Sequence, residues 1–208
     1  RDEPLMTIAA FSDFHVDYGM QNQDQIMRET NLEMLKTIKE KEHPDVVLVG
    51  GDTISNNGGQ PWDEATYQKV VSQLTAALGD VSDTVLYVNG NHDYEVGGTA
   101  FNSGAFIDTE MRAKVGAYAD VLYESEDRES NLLAYYYKID GVHFVGLNTP
   151  YNGDKTVGGY LYTPESVEWV ADRLAEIGTD EPVIFLSHYM LQDSRGISES
   201  GKGLSNAN

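Results

Sequence analysis

Three of the five histidines in this chain follow apolar runs directly, each beside residues able to bind metal. The clearest case is Tyr87-Val88-Asn89-Gly90-Asn91-His92-Asp93, where an apolar run breaks at a glycine and releases Asn-His-Asp. Three further apolar runs close in Ser12-Asp13-Phe14-His15, in Val49-Gly50-Gly51-Asp52 and in Ser187-His188. Hard cations take carboxylate and amide oxygens, and borderline transition metals also take imidazole. Short strands that deliver both donor types to one sheet edge would build a two-metal hydrolase.

Each motif alone is weak. A single histidine after a strand is more often a hydrogen-bonded structural residue than a ligand, and Gly-Asp after a strand is commonly a turn or cap. Their order along the chain changes the weighing. In open α/β sheets ligands collect outside the carboxyl ends of the strands. Asp13 and His15 follow the first strand, Asp52 the second, Asn91 and His92 the third, and His188 a later one. All six reach one edge if those strands are parallel. The other two histidines read as structural, since His43 precedes Pro44 in a connection and His143 occupies an alternating polar position in a strand. A calcium loop beginning at Asp13 with Asp17 as a later ligand is rejected, because the required glycine and terminal glutamate are absent.

The elements that must position these residues follow from periodicity. Leu5–Phe11 and Asp45–Val49 read as strands, the second a continuous apolar run suited to a sheet covered on both faces. Between them Met27, Met34, Leu35 and Ile38 share one face of a helix over Asp24–Lys41. Pro61–Leu78 predicts a second helix, with Tyr67, Val70, Val71, Leu74, Ala77 and Leu78 inward and Gly79 as its stop. Thr84–Val88 is the third strand. This β-α-β-α-β order predicts a parallel sheet.

Phe101–Val115 reads as another helix, and Glu124–Glu129 as an exposed acidic stretch. Leu132–Ile139 and Val142–Leu147 are joined by Asp140-Gly141, a two-residue hairpin signal. Thr163 and Pro164 are suited to the N-cap and first position of a helix using Val167, Val170, Ala171 and Leu174 on its inner face. Pro182–Leu186 adds a buried strand. The loops Ser55–Gln60, Glu95–Gly104 and Tyr151–Gly159 are long enough to wall a pocket above the strand ends. Trp62, Tyr94, Tyr151 and Tyr160 lie in or beside them; packing a loop down is their commoner use, and stacking on a ligand the rarer one.

Composition sets outer limits. The chain has 208 residues, 40% of them apolar and 10% aromatic, which suits one globular domain. With 34 acidic against 14 basic residues its formal charge is −20, a field opposed to extended docking on nucleic acid. A small phosphorylated substrate stays admissible, because bound cations reverse the sign locally. There is no cysteine, so disulfides and zinc–thiolate sites are excluded. No stretch approaches the ~20 apolar residues of a membrane span. The start Arg1-Asp2-Glu3-Pro4 is compatible with a cytoplasmic chain or with a secreted one whose signal peptide has been removed. Oligomeric state leaves no trace.

Taken together, Asp13-Phe14-His15, Gly51-Asp52, Gly90-Asn91-His92-Asp93 and His188 resemble the calcineurin-like metallophosphoesterase family. Asp13, Asp52 and Asn91 stand 39 residues apart, and His188 follows 97 residues later. The resemblance runs from about residue 5 to residue 190. It implies an α/β fold, a β-sandwich of mixed sheets flanked by helices after a βαβαβ start. It also implies two divalent transition-metal ions, drawn from Mn, Fe, Zn, Co or Ni. By the family pattern Asp13 and His15 bind one metal, Asp52 bridges both, and Asn91 and His188 bind the other. His92 is then the acid beside the leaving group, with Asp93 orienting its imidazole. The chemistry is intelligible in itself: two cations about 3.5–4 Å apart can share a hydroxide and clamp phosphoryl oxygens during in-line attack.

One departure accompanies the resemblance. The family places a Gly-His-x-His motif after the equivalent of His188, and no histidine follows His188 here. The expected organisation is a domain over residues 1–191 without its final motif, then a Ser/Gly/Asn-rich stretch over 192–208. Two functions are therefore weighed. One is hydrolysis of phosphomonoesters or phosphodiesters, with Gly-Asn-His-Asp leaning toward the phosphodiesterase-type branches. The other is a non-catalytic binding module, or inactive fragment, on the same fold.

Overall fold

An apolar run without polar alternation must be covered on both faces, and Val46–Val49 is buried at every residue. The computed structural model describes residues 5–17, 29–55, 63–90, 92–94, 106–111, 120–123, 132–148 and 162–189. The first half runs β1 (Ile8–Phe11), β2 (Val16–Asp17), α1 (Glu29–Glu42), β3 (Val46–Val49), β4 (Ile54–Ser55), α2 (Glu64–Val81) and β5 (Val85–Tyr87). After a 3₁₀ turn at His92–Tyr94 come α3 (residues 106–111), β6 (Asp120–Tyr123), β7 (Leu132–Ile139), β8 (Val142–Leu147), α4 (Pro164–Ile177) and β9 (Val183–Ser187).

Among the described residues β1, β3 and β5 form a parallel sheet with β3 central, the arrangement expected of the β-α-β-α-β start. A second sheet has the order β6-β7-β8-β9, antiparallel across β6, β7 and β8 and parallel between β8 and β9. Asp140 and Gly141 turn the β7–β8 hairpin with φ of 48° and 80°. Both central residues are left-handed, as a two-residue turn requires. The crossover through α4 brings β9 in beside β8.

Strand side chains alternate between faces, and here each face meets a different core. Val47, Val49, Val85 and Tyr87 pack against Leu35 of α1 and Tyr67, Val70, Val71, Leu74 and Leu78 of α2. Val46, Leu48 and Leu86 turn the other way, against Leu132, Tyr135, Val142 and Phe144 of the second sheet. The far face of that sheet, with Ala134, Val145 and Leu147, is covered by Val170 of α4. The result is helices, sheet, sheet and helix, the flanked β-sandwich expected.

Several local expectations are corrected. α2 starts after Asp63, whose carboxylate accepts from the Thr66 N–H, and it continues through Gly79 to Val81. Ser82 ends it, with its hydroxyl donating to the Asp45 carbonyl at 2.9 Å. Helix packing on the sheet outweighs the weak stop of one glycine. Met34 and Leu174, both expected inward, are 39% and 38% exposed. Ala171 is exposed too, and α4 turns Ser166, Val167, Trp169 and Val170 toward its neighbours. β9 is half-buried throughout. The short strands β2, β4 and β6 had no clear signal in the sequence. Residues 24–28, 101–105, 112–115 and 124–129 lie outside the described residues.

Candidate metal centre

The strands of the first sheet end in two loops that run side by side. The Gly50 N–H donates to the Phe11 carbonyl at 2.7 Å, Asp13 N–H to Gly51 at 3.0 Å, and His15 N–H to Asp52 at 3.0 Å. Val16 N–H then donates to Thr53 at 2.9 Å, where β2 and β4 begin their parallel pairing. The backbone is folded tightly to do this. Asp13, His15 and Asp52 have φ of 57°, 45° and 50°. Left-handed backbone at non-glycine residues costs energy and clusters at functional sites. Three of the metal-binding residues expected from the sequence carry it.

Gly51 and Gly90 have to be glycine. A Cβ on Gly51, at φ 88°, would sit 2.4 Å from the Gly90 nitrogen, and one on Gly90 would sit 2.1 Å from Asp52 Oδ1. The loop after β3 and the loop after β5 therefore touch through their backbones, and side chains on neighbouring residues are brought together.

The convergence point is the buried carboxylate of Asp52, 5% exposed. His15 Nε2 lies 3.9 Å from its Oδ2 and 3.5 Å from Asp13 Oδ1. His188 Nε2 approaches the same Oδ2 at 3.3 Å from the second sheet. The His92 N–H donates to Asp52 Oδ1 at 2.9 Å, and the His15 and His92 rings meet edge to face with centroids 5.2 Å apart. Donor atoms of His15, Asp52 and His92 lie within 4.8 Å of one another, close enough to hold a cation. Asp13 stands at the outer rim, its side chain 56% exposed, and accepts from the Ser12 hydroxyl.

His188 is held for this position. Its Nδ1 is 2.8 Å from the Gly50 carbonyl, which can only accept, so Nδ1 donates there and Nε2 is the nitrogen turned toward Asp52. Metal-ligating histidines are commonly fixed in this way by a carbonyl on the remote nitrogen. The turn that carries the ring is tied by the Ser187 and Tyr162 hydroxyls, which donate to the Tyr189 carbonyl at 3.0 and 2.9 Å.

The electrostatics agree with a site made for cations. Burial pushes the Asp52 carboxyl upward, but the hydrogen bond from His188, the His92 N–H and the two imidazoles outweigh it and hold it below the ordinary range. Burial likewise pushes the His188 imidazole down, yet its contact with Asp52 leaves it raised. Imidazole and carboxylate donors, with no thiolate, suit borderline divalent ions.

Asp93 behaves differently from the role the resemblance implies. Its buried carboxylate accepts from the N–H groups of Asp52 at 2.9 Å, Thr53 at 3.0 Å, Ile54 at 3.3 Å and Gly90 at 2.8 Å, and from the Thr53 hydroxyl at 2.7 Å. Among the described residues its hydrogen bonds go to those loops and to the Tyr87 hydroxyl of β5, and not to the His92 imidazole. Burial raises its pKa, with these donors pulling the other way. Asn91 lies outside the described residues, as do the pocket loops and the side chains of Trp62, Tyr94, Tyr151 and Tyr160.

His43 and His143 stand apart from this centre. His43 is exposed at the end of α1 with φ 45°, a left-handed helix end. His143 is buried between Tyr136 OH at 2.9 Å and Glu181 Oε2 at 2.5 Å.

Sequence reasoning missed the second layer. Thr53 and Tyr67 hold the Asp93 turn, the Tyr67 hydroxyl donating to the Asp93 carbonyl at 2.7 Å. Asn89 and Asn148 join the ends of β5 and β8 through the Asn89 N–H to Asn148 Oδ1 bond of 2.8 Å, and Asp108 of α3 accepts from Asn89 at 3.1 Å. The only available signal was a polar residue interrupting the end of an apolar run.

Comparison with known proteins places this geometry. The model of the family described as calcineurin-like phosphoesterase matches residues 6–206. An uncharacterized metallophosphoesterase from Aquifex aeolicus (strain VF5) is 34% identical over 73 residues, 35% of this chain and 24% of that relative. The chain thus spans about a quarter of the length of the curated relative it matches. In fold it is similar to a dimetal phosphatase from Danio rerio, with a TM-score of 0.61 and 13% identity over 91% of this chain and 71% of that one. With nearly the whole chain matched and its ligand-type side chains gathered at the strand ends, this protein belongs to the calcineurin-like phosphoesterases, a family of metal-dependent phosphoester hydrolases.

Proposed function

We propose that this chain hydrolyses small phosphomonoesters or phosphodiesters at a dinuclear centre built on Asp52. The observation that carries the reading is the shared carboxylate. Imidazoles from two different sheets, His15 and His188, approach the same Asp52 oxygen at 3.9 and 3.3 Å. A carboxylate between two imidazole nitrogens suits a pair of cations, since it offers lone pairs to both.

In this reading Asp13 and His15 hold one ion, Asn91 and His188 the other, and Asp52 both. When bound, the ions supply Lewis-acid charge for the phosphoryl oxygens and lower the pKa of the attacking water. The protein's own work is to fix the donors, to keep the site on the sandwich edge, and to deliver a proton. His92, half-buried beside His15 and Asp52, would protonate the departing oxygen. Asn91 contributes a neutral oxygen that limits the negative charge of the donor set. The chain's charge of −20 leaves recognition of an anionic substrate to the bound cations.

Metal content of the purified protein, followed by hydrolysis of bis- and mono-nitrophenyl phosphate with added Mn²⁺, tests this. Metal binding with turnover, both abolished in Asp52→Asn, is the expected result. Preference for the diester would favour the phosphodiesterase-type reading that Gly-Asn-His-Asp suggests. A folded protein with neither metal affinity nor turnover would favour the binding-module reading instead.

A further inference from the structure

We propose that Asp93 is a positioning residue for the Asp52 bridge, clamping the Asp52 loop to the Gly90 turn, and does not act through the His92 imidazole. The inference rests on the dinuclear reading of Asp52. The two loops are joined reciprocally. Asp52 N–H donates to Asp93 Oδ2 at 2.9 Å, while His92 N–H donates to Asp52 Oδ1 at 2.9 Å. Each carboxylate is thus seated on the backbone of the other's loop.

The division of labour between the two Asp93 oxygens matters. Oδ2 takes the N–H groups of Asp52 and Gly90, one from each loop, and so is the oxygen that ties them. Oδ1 takes the N–H groups of Thr53 and Ile54 and the Thr53 hydroxyl, all from the two residues that follow Asp52. Every partner is a donor, so only a group that accepts on both oxygens satisfies the site. This is an unusual demand, and a neutral amide cannot meet it.

The clamp has a specific consequence for the site. Asp52 sits in left-handed backbone, φ 50°, and its carboxylate must be aimed between histidines of two sheets. A left-handed aspartate without support relaxes toward ordinary backbone, which swings the carboxylate away from that position. Asp93 fixes the peptide groups on both sides of the Asp52 α-carbon through the Asp52 and Thr53 N–H groups. Tyr67 then fixes the turn that carries Asp93 itself, with its hydroxyl on the Asp93 carbonyl. The order of dependence runs from α2 to the turn, to the loop, to the bridge.

Asp93→Asn and Thr53→Val separate this from a role through His92. In Asp93→Asn the new amide must turn its own N–H groups toward at least one set of donors, which breaks the tie. The metal-free protein should lose hydrogen-exchange protection in peptides covering residues 51–54 and 90. Mn²⁺ affinity, read by calorimetry, should fall roughly 10–100-fold, the usual cost of disturbing the residues behind a ligand. Thr53→Val removes one donor without disturbing the fold, and should weaken Mn²⁺ binding by roughly fivefold, the size of one hydrogen bond. The loss of kcat in both variants should be the same for activated and unactivated esters.

Unchanged exchange at residues 51–54 and 90 in Asp93→Asn would overturn the clamp whether or not metal binds. Unchanged Mn²⁺ affinity in both variants, with a kcat loss confined to poor leaving groups, would overturn it in favour of action through His92. Should Asp93→Asn not fold, Thr53→Val with undiminished Mn²⁺ affinity would overturn it alone. Wild-type protein that protects these amides but binds no Mn²⁺ would overturn the dinuclear reading, and with it the purpose assigned to the clamp.

Discussion

A carboxylate shared between two cations has to be held from the side that the cations leave free. In the proposed dinuclear site Asp52 would meet that condition through main chain: its Oδ1 takes the His92 N–H, and its Oδ2 faces the two imidazoles. On that reading His92 contributes twice, with its backbone to the Asp52 carboxylate and with its ring as the proposed acid. Only the second contribution is lost on mutation to alanine. His92→Ala should retain most metal affinity and lower turnover on esters with poor leaving groups by about 10²–10⁴, while nitrophenyl esters are far less affected. Steady-state kinetics across a series of leaving groups reads this directly. An equal loss on all of them would remove His92 from the role of acid.

Among the elements, the two sheets are joined at their functional edge by buried side-chain amides. Asn148, at the end of β8, accepts from the Asn89 N–H and donates to the Leu132 carbonyl at 2.8 Å. Asn148→Ala leaves both buried backbone groups without that partner and should cost about 2–4 kcal/mol, since each orphaned group costs ~1–3 kcal/mol. Urea unfolding with an unchanged m-value would measure it. A loss under ~0.5 kcal/mol would mean that water replaces the amide at no cost. At the opposite end of β8 lies a second polar group. The Glu181 carboxylate is held below its ordinary range by Lys138, at 2.7 Å, and by His143. A lowered folded-state pKa adds stability that is present above the unfolded value and disappears as pH falls through the folded one. Glu181→Gln should therefore narrow the stability gap between neutral and acid pH. A gap identical to wild type would show that the exposed ion pair contributes nothing.

For the molecule as a whole, the sandwich explains how distant residues meet. His188 and Gly50 are separated by 138 positions, yet their contact is 2.8 Å because the two sheets pack face to face with their functional edges aligned. Cations at that edge would link the sheets, so binding should raise the melting temperature. At about 100 times Kd the stabilisation is ~2.7 kcal/mol, or roughly 5–10 °C for a domain of this size. Calorimetry with Mn²⁺ and with chelator should show this shift in the wild type and not in Asp52→Asn. A shift that survives the substitution would place the cation elsewhere. Among the described residues no helix is long and apolar enough to cross a membrane.

How much of this was legible beforehand depended on whether the signal was local. The apolar runs of β3 and β5, the Asp140-Gly141 hairpin and the Thr163-Pro164 helix start are written in neighbouring residues, because period and turn chemistry act over a few positions. The meeting of Asp13, His15, Asp52 and His188 was legible too, since each follows a strand and strand ends share an edge. Non-local facts were not legible. The reach of α2 past Gly79, the exposure of Met34 and Leu174, and the pairing of β2 with β4 are settled by what packs opposite them. Asp93 is the sharpest instance: its place beside His92 suggested a partner one residue away. The structure instead seats its carboxylate on amides about 40 positions earlier in the chain. Sequence alone determined which side chains carry donor atoms of the metal-binding type, because donor chemistry belongs to residue type. Tertiary structure decided which backbone holds them still, because a buried carboxylate takes whatever donors the fold turns toward it.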